Sequence, residues 1–267
     1  MVAVTSGEED GWGADDPVVM ASTMKVPVAL AFHELVDRGE IDPAQMVDLD
    51  PTTKTPGPVG LSLAEDAARM SLRDLARVML TISDNAATDE IIRVTGVGHI
   101  NERLREWGCR HTVIAGDLRE LLDGAAADLG LARYEDIKDT PIVGDIRALD
   151  ASTTTRSTAR DMTTLLANIW TDAVATSAAC AQVRTAMGQQ VSRRMTPATP
   201  SGGQLAAKSG GLFGFVRNEV GVITYPDGEP YAFAVFTQAH VRFDNEAGIN
   251  AAMAASVNAS ISRLRSR

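Results

Sequence analysis

Cysteine is nearly absent from this sequence. Its 267 residues hold two, Cys109 and Cys180. That excludes a small scaffold held together by disulfides. Neither cysteine adjoins a recognisable motif, and both are expected as buried free thiols. Histidine is also scarce. His33, His99, His111 and His240 lie far apart, without metal-ligand spacing, which argues against a structural zinc site. No metal or other cofactor is expected. Apolar runs are short, and none approaches the ~18 residues of a membrane span. Basic charge is in deficit: 25 Lys and Arg stand against 35 Asp and Glu, a net charge of −10. Nucleic acid and anionic membrane surfaces both require a basic face, so neither is an expected partner. The first residues, MVAVTSGEEDGWGADD, have no basic start and no apolar core of a signal peptide. As written the chain is expected in the cytoplasm, or as a secreted protein if it is a trimmed mature form.

What is present is ample material for a core. Residues are 45% hydrophobic and 22% charged. At this length, folding removes roughly 70% of the chain's surface from water. A β-prone start at 2–5 is followed by a helical pattern at 23–36, which Gly39 ends. Residues 50–60, DPTTKTPGPVG, read as a turn-rich loop. Helical patterns follow at 63–69, 71–82, 86–95, 99–107, 118–129, 157–170 and 173–187. Near Thr196 the pattern changes to strands at 204–208, 216–224 and 231–237, with the turn Pro226-Asp227-Gly228 between the last two. An Ala-rich helix closes the chain at 245–264. The fold class is therefore α+β: N- and C-terminal strands form one antiparallel sheet flanked by helices, with an all-helical lobe inserted. The expected division is 1–35 with 188–267 as the sheet lobe and 36–187 as the helical lobe. A cleft between lobes is a natural place for a small ligand.

Three short motifs occur in order. Ser22-Thr23-Met24-Lys25 is S-x-x-K at a helix start, Ser83-Asp84-Asn85 is S-D-N at a helix break, and Lys208-Ser209-Gly210 is K-S-G on a strand. Each alone is commonplace: a helical pair, a cap, a strand end. Together they carry chemistry. A helix brings residues i and i+3 to one face, so the Lys25 amine can approach the Ser22 hydroxyl. Serine is a weak nucleophile until a base takes its proton. A lysine desolvated beside another cation loses basicity and can be that base, and Lys208 would be the second cation. The helix N-terminus adds a positive field at Ser22.

These residues resemble class A β-lactamases and penicillin-binding proteins, whose signature is S-x-x-K, S-D-N and K-[ST]-G. The likeness covers nearly the whole chain. It includes ASTMKVPV at 21–28, SLRDL at 71–75, MLTISDNAAT at 79–88 and the 61-residue separation of Ser22 and Ser83. The resemblance implies that Ser22 is the acyl-forming nucleophile and Lys25 its base or part of the proton relay. It implies that Ser83 passes a proton to the leaving nitrogen and that Asn85 holds the substrate amide. Lys208 would hold charge in the site, Ser209 and Arg217 would bind a substrate carboxylate, and Gly210 would belong to the same strand wall. The backbone N–H groups of Ser22 and Gly211 would form the oxyanion hole. The substrate would be a small carboxylate-bearing β-lactam or a related amide or ester.

One departure is marked. The family's hydrolases carry an E-x-x-L-N pattern whose glutamate activates the deacylating water, and this sequence has none. Glu120 lies where such a glutamate should fall and is the candidate deacylation base, with Asp117, Asp145 and Asp150 as lesser rivals. The stretch between Ser83 and Lys208 is also longer than the family's, with the extra residues at 118–150. The expected function is a β-lactamase-like serine hydrolase. The alternatives are an amidase, esterase or acyltransferase on the same scaffold, or a covalent β-lactam binder without efficient deacylation.

Overall fold

The computed structural model describes residues 1–142 and 146–267. In chain order it contains β1 (Val2–Ala3), β2 (Val18–Val19), α1 (Lys25–Asp37), β3 (Met46–Leu49), β4 (Ala68–Ser71), α2 (Leu72–Thr81), α3 (Asn85–Thr95), α4 (Val97–Glu106) and α5 (Leu118–Asp128). After these come β5 (Arg156–Ser157), α6 (Ala159–Trp170), α7 (Ser177–Gly188), β6 (Gln204–Leu212), β7 (Val216–Thr224), β8 (Pro230–Val235) and α8 (Glu246–Arg265).

Most helices begin where the sequence offers a short polar side chain to their unpaired N–H groups. Ser71, Asp84, Asp117, Thr158, Thr176 and Asn245 each accept a backbone N–H from three residues on, starting α2, α3, α5, α6, α7 and α8. Helix α1 has no such cap. It continues out of a 3-10 turn, Ala21–Met24, that carries Ser22. Val26, Val28, Ala29, Leu30, Ala31 and Phe32 are all sealed from solvent, so α1 is apolar around its whole circumference, as a central helix must be.

The main sheet is antiparallel in the order β1-β8-β7-β6. Alternation along its strands feeds two cores. Val220, Val222 and Ala232 face the cluster built around α1. Leu205, Ala207, Ile223, Tyr231 and Phe233 face Met253, Val257, Ile261 and Leu264 of α8. Each of the larger side chains, such as Val220, Ile223 and Phe233, contributes about 1.5–3 kcal/mol of burial.

The α+β expectation holds, with two local differences. Residues 63–69 are not a helix: Gly60–Leu63 form a 3-10 turn, and β4 pairs with β3, Met46 opposite Ser71. Pairing with a distant partner outweighs the local helical pattern. The helical middle is accordingly not free of strands, since β5 also pairs with β2. Cys109 and Cys180 are buried free thiols. Trp107 is buried and Trp170 half-buried, whereas Trp12 stands in solvent. No helix among the described residues is long and apolar enough to cross a membrane.

Candidate active site

The turn that carries Ser22 is built under backbone strain. Ala21, immediately before Ser22, holds φ at +47°. Ser83, at the break between α2 and α3, holds φ at +65°. A non-glycine residue in this left-handed region costs on the order of 1 kcal/mol or more, and such strain concentrates at functional sites. Strand β6 lies hard against the turn. A Cβ on Gly210 would stand 3.0 Å from the Met20 carbonyl oxygen and 3.2 Å from the Ser22 nitrogen, tighter than ordinary contact, so a larger residue would have to push the turn back by a few tenths of an ångström. Asn218, opposite Gly210 on β7, ties the turn to the sheet by donating to the carbonyls of Val19 at 2.8 Å and Met20 at 3.2 Å.

Lys25 opens α1 and is fully buried. Its Nζ donates to the Ser83 carbonyl oxygen at 2.7 Å, the Ser83 Oγ at 3.2 Å and the Asn85 Oδ1 at 3.0 Å. These three acceptors match the three N–H bonds of an ammonium. Burial pushes the Lys25 pKa down to about 7, while Asp84 and Asp89 pull it the other way. Burial, rather than the neighbouring Lys208 cation, is thus the main cause of the lowered basicity. Asn85 Nδ2 donates to the Pro56 carbonyl at 3.1 Å, which fixes the amide's orientation. Asp84 is also fully buried. It accepts from the backbone N–H groups of Ala87 and Leu61 and so pins the S-D-N segment to the 60–63 turn.

Lys208, buried on β6, donates to the Ser209 carbonyl at 2.9 Å. Burial, then the charges of Lys25 and Arg194, hold its pKa well below that of a free lysine. The Gln190 side chain accepts the Ser209 N–H at 2.9 Å. Ser22, Asn85 and Gly211 line one cavity of about 60 Å³. Gly211 also borders a larger space of about 570 Å³ with Arg193, Arg194, Arg217 and Glu246. Arg217 pairs with Glu246 at 2.8 Å and donates to Asn250 at 2.7 Å. In a chain of net charge −10, this local cluster of guanidiniums favours an anionic ligand.

Glu120 is exposed on α5. A Cβ on Gly116 would collide with its Oε2, and it borders a different cavity from the one beside Ser22. The helix turns Leu118, Leu121 and Leu122 toward Ser22 instead. Asp117 caps α5, accepting from Glu120 N–H at 2.8 Å, and Asp150 is exposed and holds Ser152. Asp145 lies outside the described residues. Among the described residues lining the Ser22 cavity there is no carboxylate.

Three residues of this region went unremarked in the sequence. Asp89 accepts from the N–H groups of Leu118 and Arg119, both at 2.9 Å, and anchors the start of α5. Burial raises its pKa to about 6. Arg194 donates to the carbonyls of Gly210 at 2.7 Å and Asn218 at 2.6 Å. Glu219 lies fully buried on β7. A reading of caps would have flagged Asp89 no more than any other helix-borne acid. The sequence VRNEVGV, buried along its whole length, was the one available signal for Glu219.

The whole arrangement has relatives. A solved structure of PBP-A is 22% identical, with a TM-score of 0.78 over 98% of this chain and 88% of that one. A β-lactamase from Sphaerobacter thermophilus is 24% identical, with a TM-score of 0.78 over 97% and 88%. These likenesses concern the fold. A closer sequence relative is a protein of Streptomyces cacaoi named beta-lactamase regulatory protein BlaB, 32% identical over 269 aligned positions, or 93% of this chain and 86% of that one. The model of the beta-lactamase enzyme family matches residues 1–264. On that whole-length match, with the serine and lysine motifs set around one cleft wall, the chain belongs to the beta-lactamase enzyme family.

Proposed function

We propose that the protein is a serine acyl enzyme that takes β-lactams, or a related amide, and releases the acyl group slowly. The observation that carries this reading is Lys25: a fully buried amine, poised near neutrality and held by Ser83 and Asn85 at the start of the Ser22 helix. Once neutral, Lys25 has a lone pair and takes the Ser22 proton. The Ser22 oxygen bonds to the lactam carbonyl carbon, and the oxyanion is met by the N–H groups of Ser22 and Gly211. The carbon–nitrogen bond then breaks, and the leaving nitrogen receives a proton through Ser83, with Lys208 close behind. Asn85 holds the substrate amide, and Ser209 with Arg217 takes its carboxylate. The product of this half-reaction is an ester on Ser22.

Release needs a water and a base. The leucine lining of the Ser22 cavity supports slow release, since none of its described residues can serve as that base. The regulatory name carried by the Streptomyces cacaoi relative fits a chain that binds covalently more than it turns over. One related structure is a PBP-A variant held as an acyl-enzyme with penicillin G, which is consistent with the same chemistry. The test is intact-protein mass after mixing with penicillin G, using Ser22→Ala as control. A persistent adduct on the unaltered chain alone is expected. An adduct that clears within seconds, with hydrolysed product, would overturn slow release and make the protein a β-lactamase in the full sense. No adduct would overturn the β-lactam reading.

A further inference from the structure

The β6–β7 ladder has two faces near the site. Lys208 with Val220, and Gly210 with Asn218, turn toward the nucleophile. Ser209 with Glu219, and Gly211 with Arg217, turn the other way. Directly opposed residues of an antiparallel pair have their Cβ atoms about 5 Å apart. Glu219 is therefore the immediate neighbour of Ser209. Its Oε2 accepts the backbone N–H of Arg194 at 2.9 Å. Its Oε1 is buried with no hydrogen-bond partner. The backbone N–H of Met195 also favours its charged form, but a buried carboxyl with an oxygen so poorly matched requires an explanation, because an unmatched polar atom is costly.

We propose that Glu219 is a positioning residue for the carboxylate end of the site: it holds the Arg194 segment against β6 and β7 and, by gaining or losing a proton, sets the charge an anionic substrate meets beyond Ser209. The inference rests on the acyl-enzyme reading above and deepens it. Arg194 spans the two strands at Gly210 and Asn218 and borders the same 570 Å³ space as Arg217. Arg217 is already matched by Glu246 and Asn250, whereas the Arg194 charge has Glu219 as its buried counterpart. The charged groups around Glu219 are Lys208 from β6, Arg194 from the segment before β6, and Arg217 on its own strand, with Glu246 of α8 beyond Arg194. On β8 its partner is the uncharged Val235. Burial pushes the Glu219 carboxyl up to about 7, against the opposing pull of Arg194 and Lys208. Below that pH the acid is neutral and the guanidinium field is open to a substrate carboxylate. Above it the new negative charge opposes the substrate's own. One charge at this range changes binding by about tenfold.

The experiment measures calorimetric binding of penicillin G and of its methyl ester to the Ser22→Ala protein between pH 6 and 8.5. The acid is expected to lose about tenfold in affinity relative to the ester as pH rises. Adding Glu219→Gln, which keeps an oxygen for the Arg194 N–H, is expected to flatten that ratio. A slope that persists, or only moves to lower pH, would assign the titration to the buried lysines, Lys25 or Lys208, and overturn the proposal. Equal weakening of acid and ester would reduce Glu219 to a packing role and overturn it too. Should the Gln protein fail to fold, carbon-13 NMR of glutamate-labelled Ser22→Ala protein reads the same event. A buried glutamate titrating in this window is expected, and none would overturn the assignment. Ester acylation of unaltered Ser22 without any carboxylate preference would defeat this proposal and leave the acyl-enzyme reading standing.

Discussion

Lys25 and Ser83 are joined twice. One amine meets both the carbonyl oxygen of Ser83, at 2.7 Å, and its hydroxyl, at 3.2 Å, and Ser83 stands in a left-handed backbone conformation as it does so. The proposed base and the residue proposed to return the proton are thus fixed to each other before any substrate arrives.

That arrangement sets the pH dependence of acylation. Lys25 acts as a base only when neutral, and its pKa is lowered to about 7. The acylation rate is therefore expected to rise with pH to a plateau, with its midpoint near 7, when adduct formation is followed by stopped-flow or quenched mass spectrometry. Lys25→Ala is expected to lose about 10²–10⁴-fold in rate. A rate independent of pH from 5.5 to 9 would remove Lys25 from the base role.

Leu118 begins α5, faces the Ser22 cavity and has its N–H on Asp89. A carboxylate there would sit at a helix N-terminus, which favours negative charge. Leu118→Glu is expected to shorten the lifetime of the acyl-enzyme at least about tenfold, because a general base contributes that much or more. Pulse-chase mass spectrometry reads the lifetime directly. An unchanged lifetime would mean that water access, not the missing base, limits release.

Gly210 tests the close approach of strand and nucleophile. The atoms its Cβ would meet are backbone at Met20 and Ser22 and the Thr23 methyl, which must give by a few tenths of an ångström. Gly210→Ala is expected to slow acylation by about tenfold, since a full 1 Å misplacement of reacting groups costs about 10²-fold. The melting temperature should change far less. Full activity in the variant would show that the turn has slack.

The fold itself should weaken in acid through His33. Burial lowers its pKa to about 4, so the native protein keeps it neutral. An unfolded chain binds that proton near pH 6.5. The stabilisation is complete above 6.5 and is lost as pH falls toward 4, amounting to at most about 3 kcal/mol. Urea unfolding from pH 7 down to 4 is expected to show this slope, and His33→Gln to reduce it.

The residues proposed to react were readable as motifs because each motif is local. S-x-x-K is read from a helix repeat, S-D-N from a cap, and K-S-G from a strand end. The start of α2 was legible for the same reason, since Ser71 carries its own hydrogen-bonding oxygen, whereas the helix expected from 173 begins only at Ser177, where Thr176 supplies the cap. What escaped depends on distant partners. Residues 63–69 have a helical pattern, yet Ala68–Ser71 is claimed by Met46–Leu49. Glu120 sits at the expected distance from Ser83, but the α5 helix repeat turns Leu118, Leu121 and Leu122 inward and Glu120 out. Glu219 and Arg194 are invisible as a pair, because only the sheet brings residues 25 positions apart into contact.

The pairing of β1 with β8 also has a meaning in time. Val2 finds its neighbour in Ala232, so β1 waits for a strand about 230 positions further on. At a synthesis rate of about 5–20 residues per second, that wait is on the order of tens of seconds on the ribosome. The helices between them can form as they emerge, but the sheet that carries Lys208 and presses Gly210 against Ser22 cannot close until then. The proposed nucleophile is therefore walled in only once β6–β8 have been made, and a chain cut before Gln204 would carry Ser22 without that wall.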